Sequence, residues 1–230
     1  GLSFFYHDAA AALLVDGVPL AMAEEERFSR KKHDSGFPKM AIDFVLKDSG
    51  IKPEELDCVV FYEKPFLKLE RIFKTFLSTF PYSPLAFIQG IKNLFISKIW
   101  IREIISKETG VSPDKILFSE HHLSHAASSF LCSPYDKAAI LTIDGVGEWA
   151  TTTIGIGGGE EIRILKEIHF PHSLGLLYSV FTAFLGFEVN EGEYKVMGMA
   201  PYGKPIYRDK VKNLITFFKD GSFALNLDYF

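Results

Sequence analysis

Three histidines lie close together in the segment 119–127, and two of them have the spacing of metal ligands. If the segment is helical, His121 and His125 are one turn apart on one face, so both imidazoles can reach the same ion. Neutral imidazole suits first-row divalent metals such as iron or zinc. Asp144 is the best candidate for a carboxylate ligand, because it follows an apolar strand whose carboxyl end is where α/β sheets place ligands. The alternative is that two histidines four residues apart coincide on a polar helix face.

Two further segments have residues that could meet a phosphate group. Gly145 directly follows Asp144 at a strand end, where backbone amides can approach phosphate oxygens. Lys195 lies in the glycine-containing segment 192–203, which we interpret as a loop whose buried lysine points at phosphate or carboxylate. The alternatives are an ordinary Asp–Gly turn and a simple connection between two helices.

His7 and Asp8 form a turn after the first apolar run of the chain. A histidine there would face the same cleft and could act as general base for a hydroxyl group. The alternative is a turn histidine that lies in water.

The elements that must position these residues are predicted to be three strands followed by a helix, twice over. The first set begins near residue 2 and the second near residue 137. The predicted strands are 2–6, 9–15, 18–23 and 57–62 in the first half, and 137–143, 151–156 and 163–170 in the second. Two similar lobes across a cleft are the architecture of actin-like and sugar-kinase-like ATPases, whose lobes are built like ribonuclease H. We therefore predict an α/β protein with a complete first lobe over 1–135 and a second lobe over 136–230 that is cut short.

Turn and cap residues bound several of the predicted elements. Asp16-Gly17 is a strong hairpin signal between the second and third strands. Pro38 and Gly50 bound the first helix, and Ser173 caps the helix of the second set. A last helix is predicted over 211–218, because its apolar residues recur at i, i+3, i+4 and i+7.

An aromatic, basic segment over 64–108 interrupts the first lobe, and Pro81 and Pro84 break its predicted helices. Such a segment could meet nucleic acid or a membrane surface. We favour an amphipathic insertion that packs on the domain with its lysines in water. The longest uncharged stretch, 75–91, contains prolines and is too short to span a bilayer, so no membrane partner is expected.

Composition excludes several classes of protein. Hydrophobic residues make up 47% of the 230 residues and charged residues 23%, which excludes disordered and fibrous chains. A net charge of −4 excludes a basic nucleic-acid binder. Cys58 and Cys132 are too few for a disulfide scaffold, and we expect buried free thiols in a cytoplasmic protein. No basic stretch precedes the first apolar run, so no signal peptide is expected.

Together, five motifs resemble the O-carbamoyltransferase family, which includes the nodulation-factor and antibiotic carbamoyltransferases. The motifs occur in the family's order and lie at 6–10, 23–33, 121–126, 144–145 and 195–203. The resemblance implies two steps. Carbamoyl phosphate and ATP form carbamoyl-adenylate in a separate C-terminal domain, and the actin-like domain transfers the carbamoyl group to the hydroxyl of a small-molecule acceptor.

The resemblance also implies a role for individual residues. His121, His125 and Asp144 would hold a divalent metal, with iron preferred, that anchors the nucleotide. His7 would be the general base. Lys32 and Asp228 would face the acceptor substrate, and Lys195 and Gly145 would lie near the nucleotide or carbamoyl group.

Family members are longer than this chain. The chain starts without methionine and ends on an apolar run, so we interpret it as the N-terminal part of such a protein. The rest of the second lobe, a further aspartate ligand and the C-terminal domain would lie beyond Phe230. We therefore expect weak or absent metal and nucleotide binding and no complete transfer by these residues alone; a homodimer is possible.

Two other functions compete with this one. The ATPase-like protein of tRNA threonylcarbamoyl modification shares the fold and the histidine pair, and a tRNA partner would use the basic segment. The motifs at 24–32 and 195–203 favour the carbamoyltransferase. A non-catalytic module that binds a sugar or nucleotide is the third possibility, and it predicts nucleotide binding that is unaffected by His121→Ala.

Overall fold

The computed structural model describes residues 1–93 and 99–230, and these fall into two units, Gly1–His121 and His122–Phe230. The division lies at the first residue of a helix that carries three histidines. On sequence alone the lobe boundary is predicted near residue 135.

A five-stranded mixed sheet forms the centre of the first unit, and its strand order is β3-β2-β1-β4-β5. The strands are β1 (Leu2–Ser3), β2 (Ala10–Val15), β3 (Val18–Glu24), β4 (Val59–Phe61) and β5 (Ile116–Phe118). The first three are antiparallel, whereas β4 is parallel to both β1 and β5. The predicted hairpin is confirmed, because Asp16 and Gly17 both have positive φ, as a tight turn between twisted strands requires. This mixed sheet confirms the α/β class.

Five helices accompany this sheet in the described residues of the first unit. They are α1 (Glu26–Ser29), α2 (Lys39–Ser49), α3 (Pro65–Thr79), α4 (Pro84–Asn93) and α5 (Ile101–Thr109). Helix α2 follows Pro38 and ends at Gly50, whose φ is 67°, as the sequence predicts. Its buried residues Ala41 and Val45 join a core centred on Phe4 and Phe61, which are fully buried.

Helices α3 and α4 confirm the predicted helical segment and its break in the described residues. Helix α5 of the same segment packs on the first unit, because Ile101 and Ile105 are buried in its core. Helices α3 and α4 pack on each other, with Phe76 stacked on Phe87 at 4.1 Å between ring centroids. Phe80 and Tyr82, between the helices, are largely exposed, as is Phe66. The apolar surface of the hairpin is wider than the face that the two helices cover, so several aromatics stay in water. Residues 94–98 of the predicted segment lie outside the described residues.

The second unit is built on a three-stranded antiparallel sheet of order β6-β7-β8. Its strands are β6 (Lys137–Ile143), β7 (Ala150–Gly158) and β8 (Glu161–His169), followed by the hairpin β9 (Ile215–Phe217) and β10 (Phe223–Leu225). Its helices are α6 (His121–Phe130), α7 (Leu174–Phe184), α8 (Glu193–Met199) and α9 (Arg208–Lys212). Three strands and then a helix therefore occur in the predicted order.

Two local predictions in this unit are wrong. The helix expected over 211–218 ends at Lys212, and Ile215–Phe217 pairs instead with β10 across a turn at Gly221, whose φ is 85°. A β-branched, aromatic triplet before an Asp-Gly turn favours a hairpin over a helix when a partner strand follows. The expected loop at 192–203 is α8 followed by a 3-10 turn.

Both cysteines lie at the surface, outside the helices and strands. Cys58 and Cys132 are free but exposed, so their predicted burial is wrong. Cys58 precedes β4 and Cys132 follows the end of α6, and neither lies inside its element. Across 1–93 and 99–230, every helix is too short or too polar to cross a bilayer.

Candidate active site

Helix α6 and the end of β6 bring together the three residues with metal-ligand character. His121 and His125 lie one turn apart on α6, and Asp144 directly follows β6. One ligand atom from each residue lies within 4.8 Å of the others. The distance from His125 Nε2 to Asp144 Oδ2 is 3.8 Å. The predicted spacing thus forms a real cluster of two imidazoles and one carboxylate.

The third histidine of the segment, His122, anchors α6 on the sheet. It is buried, and its Nε2 lies 2.8 Å from the carbonyl oxygen of Ala150, which can only accept a hydrogen bond. Nε2 therefore carries the proton, and in the neutral ring Nδ1 accepts from the Thr142 hydroxyl at 2.7 Å. Thr142 in turn lies 2.6 Å from the Thr153 hydroxyl. This chain of hydrogen bonds fixes the rotation of α6. It therefore also fixes the direction in which the half-buried His121 and the exposed His125 point.

A close helix-to-sheet contact sets the distance of α6 from β7. A Cβ added at Gly157 would lie 2.5 Å from the Phe130 ring, so only glycine permits this approach. Ala126 and Ile140 complete the small buried cluster beneath the helix.

The turn that carries Asp144 is held from the other side by the start of α7. The buried hydroxyl of Ser173 donates to the Gly145 carbonyl at 2.6 Å and caps α7 by accepting from Leu176 N–H. A Cβ on Gly175 would lie 2.4 Å from the Asp144 carbonyl oxygen. The Gly145 N–H, which the sequence assigns to phosphate, donates to Asp144 Oδ1 at 2.7 Å. The Asp144 side chain is therefore fixed by its own turn.

These donors fit a first-row divalent ion. Two imidazole nitrogens and a carboxylate oxygen are the ligand set that iron and zinc prefer. A separation of 3.8 Å between His125 Nε2 and Asp144 Oδ2 lets both atoms lie about 2.1 Å from one ion. Three protein ligands also leave coordination positions for another molecule.

A second histidine–carboxylate cluster surrounds Asp8 in the first unit. His7 Nδ1 donates to Asp8 Oδ2 at 2.9 Å, and His33 Nδ1 donates to Asp8 Oδ1 at 2.8 Å. Burial raises the pKa of Asp8, but the hydrogen bonds from His33 and His7 outweigh it and hold this pKa below its usual value. The carboxylate is therefore charged at neutral pH, and it contacts both its neighbour His7 and a histidine 25 positions further along the chain than Asp8.

The acidic part of the 23–33 motif has a structural role that the sequence analysis missed. Glu25 is buried, and its carboxylate accepts from the N–H groups of Met40 and Ala41 at the start of α2. Glu26 accepts from the His33 backbone N–H at 2.9 Å. An acid that can reach a helix start is a recognisable capping signal, but here the helix begins some fifteen positions later, beyond the reach of local patterns.

The remaining predicted residues lie on the surface. Lys32 is exposed in the loop after α1, and Asp228 is exposed in a 3-10 turn after β10. The predicted burial of Lys195 is wrong, because this lysine is exposed on α8, with its Nζ 5.7 Å from the centre of the Tyr194 ring. The neighbouring glycines suggested a loop that binds phosphate or carboxylate, whereas the backbone there is helical.

Comparison with known proteins identifies the family. Residues 1–230 match the family described as Carbamoyltransferase N-terminus, and the chain belongs to this family. An uncharacterized protein of Synechocystis sp. is 49% identical over 238 aligned residues, which cover 100% of this chain. Nodulation protein NolNO of Sinorhizobium fredii is 35% identical over 97% of this chain. Nodulation protein NolO of Bradyrhizobium diazoefficiens is 35% identical over 47% of this chain.

The chain spans only part of these relatives. It covers 39% of the Synechocystis protein, 32% of NolNO and 20% of NolO. The resemblance seen in the motifs is thus confirmed at the level of the family.

Proposed function

We propose that the whole protein transfers a carbamoyl group from carbamoyl-adenylate to the hydroxyl of a small-molecule acceptor, and that this chain supplies the N-terminal part of the transferase. The match of all 230 residues to a carbamoyltransferase family carries the proposal. The two histidine–carboxylate clusters support it, because such a transfer needs a proton acceptor and a means of holding phosphate.

The proposal includes the actin-like architecture. The order β3-β2-β1-β4-β5, with three antiparallel strands before two parallel ones, agrees with a ribonuclease H-like first lobe. The antiparallel β6-β7-β8 sheet followed by α7 agrees with the start of a second lobe. In this proposal the lobes keep the predicted ranges, 1–135 and 136–230.

His121, His125 and Asp144 would hold a divalent metal, with iron preferred, beside ATP or carbamoyl-adenylate. A bound divalent cation supplies positive charge that fixes and polarises phosphate oxygens. The supports described above serve this role, because His122 orients α6 and the Ser173 cap holds the Asp144 turn. Gly145 and Lys195 would lie near the nucleotide.

The chain's own residues would manage the acceptor. His7 Nε2 would take the proton from the acceptor hydroxyl as its oxygen attacks the carbamoyl carbon. The bond between that carbon and the phosphate oxygen then breaks, and AMP leaves with the bonding electrons. Lys32 and Asp228 would position the acceptor. Because AMP is a good leaving group, orientation and proton removal supply most of the rate.

The test uses the full-length protein with and without His125→Ala. We expect the variant to lose bound iron and at least roughly 100-fold in carbamoyl transfer rate, because one of three ligands is removed. His169→Ala is a matched control, since this exposed histidine on β8 pairs with Glu167. Unchanged metal content and unchanged rate in His125→Ala would refute the proposed site. Salt-sensitive tRNA binding by the full-length protein would instead favour the tRNA-modification function.

A further inference from the structure

Asp8 touches two imidazoles at once, and each of its oxygens serves one ring. Oδ2 lies 2.9 Å from His7 Nδ1, and Oδ1 lies 2.8 Å from His33 Nδ1. These are the distances of charge-assisted hydrogen bonds. An ionised carboxylate can only accept, so both Nδ1 atoms carry their protons.

This protonation decides which nitrogen of His7 can act as a base. In a neutral ring with Nδ1 protonated, the lone pair lies on Nε2. His7 is exposed, with a side-chain accessibility of 49%, so a substrate can reach the ring from solvent. Asp8 thus selects the tautomer that general-base catalysis by Nε2 requires.

The backbone around Asp8 is unusual and is held by long-range bonds. Asp8 and His33 both have positive φ, 47° and 52°, a region that aspartate tolerates and most residues avoid. Ala9 N–H donates to the Asp34 carbonyl at 2.7 Å, which ties the turn at 7–8 to the loop at 33–35. Glu26 accepts from the His33 N–H at 2.9 Å and secures that loop. The surrounding hydrogen bonds therefore hold Asp8 and His33 in these left-handed conformations. Residues held in this way are frequent at active sites.

We propose that Asp8 is the positioning residue for His7, and that His33, held by Glu26, fixes the Asp8 carboxylate. The inference rests on the proposed function, in which His7 is the base. It adds a series of contacts, Glu26 to His33 to Asp8 to His7, which connects the first turn of the chain with the 23–33 motif.

The first measurement reads the tautomer directly. Full-length protein labelled with ¹⁵N at histidine is compared with the same protein carrying His7→Gln, which assigns the His7 ring signals. We expect His7 to be protonated at Nδ1 in the wild-type protein. A neutral His7 that is protonated at Nε2 would overturn the proposal without any need for an Asp8 variant to fold.

The second measurement replaces one oxygen. Asp8→Asn keeps the shape but turns one acceptor into an NH₂ donor, so the two rings cannot both keep a proton on Nδ1. We expect a mixed His7 tautomer and a kcat for carbamoyl transfer that falls about 100-fold with little change in KM for the acceptor. Asp16→Asn is the matched control, because Asp16 is another left-handed aspartate in a turn. We expect this control to keep the wild-type rate.

The outcomes separate this inference from the proposed function. If His7→Gln leaves kcat unchanged, then His7 is not the base and the proposed role fails. If His7→Gln abolishes transfer while Asp8→Asn keeps both the tautomer and kcat, the proposed role stands and the positioning by Asp8 is refuted. A rise in KM for the acceptor in Asp8→Asn, with kcat unchanged, would also refute positioning.

Discussion

The two histidine–carboxylate clusters use the same residue types but differ in how closely those residues approach. Around Asp8, both imidazoles lie at 2.8–2.9 Å from the carboxylate, so the protons are already placed. At the other cluster, His125 Nε2 and Asp144 Oδ2 are 3.8 Å apart. That separation suits two atoms bound to one ion better than a direct hydrogen bond. The difference teaches that the same residue types can be held in direct hydrogen bonds or stand at the spacing of candidate metal ligands.

The supports of the clusters differ as well. The Asp8 cluster is held by loop backbone, through the bonds from Ala9 to Asp34 and from His33 to Glu26. The candidate metal cluster, His121, His125 and Asp144, is held by a helix and a strand end, which His122 and Ser173 join to the sheet through hydrogen bonds. Rigid elements suit a site whose ligand distances must be kept within tenths of an ångström.

The largest expected effect contrasts one carboxylate from each cluster. Asp144→Asn in the full-length protein should weaken iron binding at least roughly 100-fold, because it removes a charged ligand. Asp8→Asn should leave iron binding unchanged, because that carboxylate is committed to two imidazoles. Metal analysis after gel filtration checks both. Iron loss in Asp8→Asn would break the distinction between the clusters.

The next effect concerns the anchor of α6. His122→Ala should lower the free energy of unfolding by about 3 kcal/mol, because it leaves a cavity and buried groups at Thr142 and Ala150 without this partner. Denaturant unfolding measures the loss. His169→Ala, at an exposed site, should change stability by less than about 0.5 kcal/mol. Equal stability of His122→Ala and wild type would show that α6 is held in another way.

A slightly smaller effect is expected at the close contact beneath Asp144. Gly175→Ala places a Cβ where the Asp144 carbonyl lies, so it should cost about 2 kcal/mol and weaken iron binding by moving the turn. Gly198→Ala on α8 meets nothing within 4 Å and should be neutral or stabilising by up to about 1 kcal/mol. Thermal unfolding of both variants makes the comparison. A neutral Gly175→Ala would mean that the turn is free to shift.

The smallest effect is the pH dependence that Asp8 contributes. Its pKa in the folded chain lies below the ordinary 3.8, so its stabilisation is present above 3.8 and is lost as pH falls through the folded value. The difference in melting temperature between wild type and Asp8→Asn should therefore shrink between roughly pH 5 and pH 2. A difference that grows as the pH falls would contradict the direction of this pKa shift.

Local patterns predict much of what surrounds the candidate metal cluster. The i, i+4 spacing of His121 and His125, the strand before Asp144 and the Ser173 cap all depend on neighbours within a few residues. The same holds for the hairpin at Asp16-Gly17. Such features follow from helix and strand periods and from turn chemistry, which a sequence displays directly.

Local patterns failed where a competing local structure is more stable than the one that the spacing suggests. The spacing at 211–218 suggested a helix, but Ile215–Phe217 forms a strand that pairs with Phe223–Leu225. Glycines around Lys195 suggested a loop with a buried cation, although the segment is helical and the lysine is exposed. Strand pairing in the hairpin outweighs helix propensities that are worth only tenths of a kcal/mol per residue.

By itself, the sequence determined the α/β class, the family resemblance and the set of residues able to bind a metal or accept a proton. Only the tertiary structure decided which histidine does which task. Of the three histidines on α6, His122 uses both ring nitrogens in buried hydrogen bonds, whereas His121 and His125 lie close to Asp144. His33 reaches Asp8 only because backbone bonds bring two loops together. The reason is physical: residue type determines what a group can bind, but proton position and ligand distance depend on partners far away in the chain.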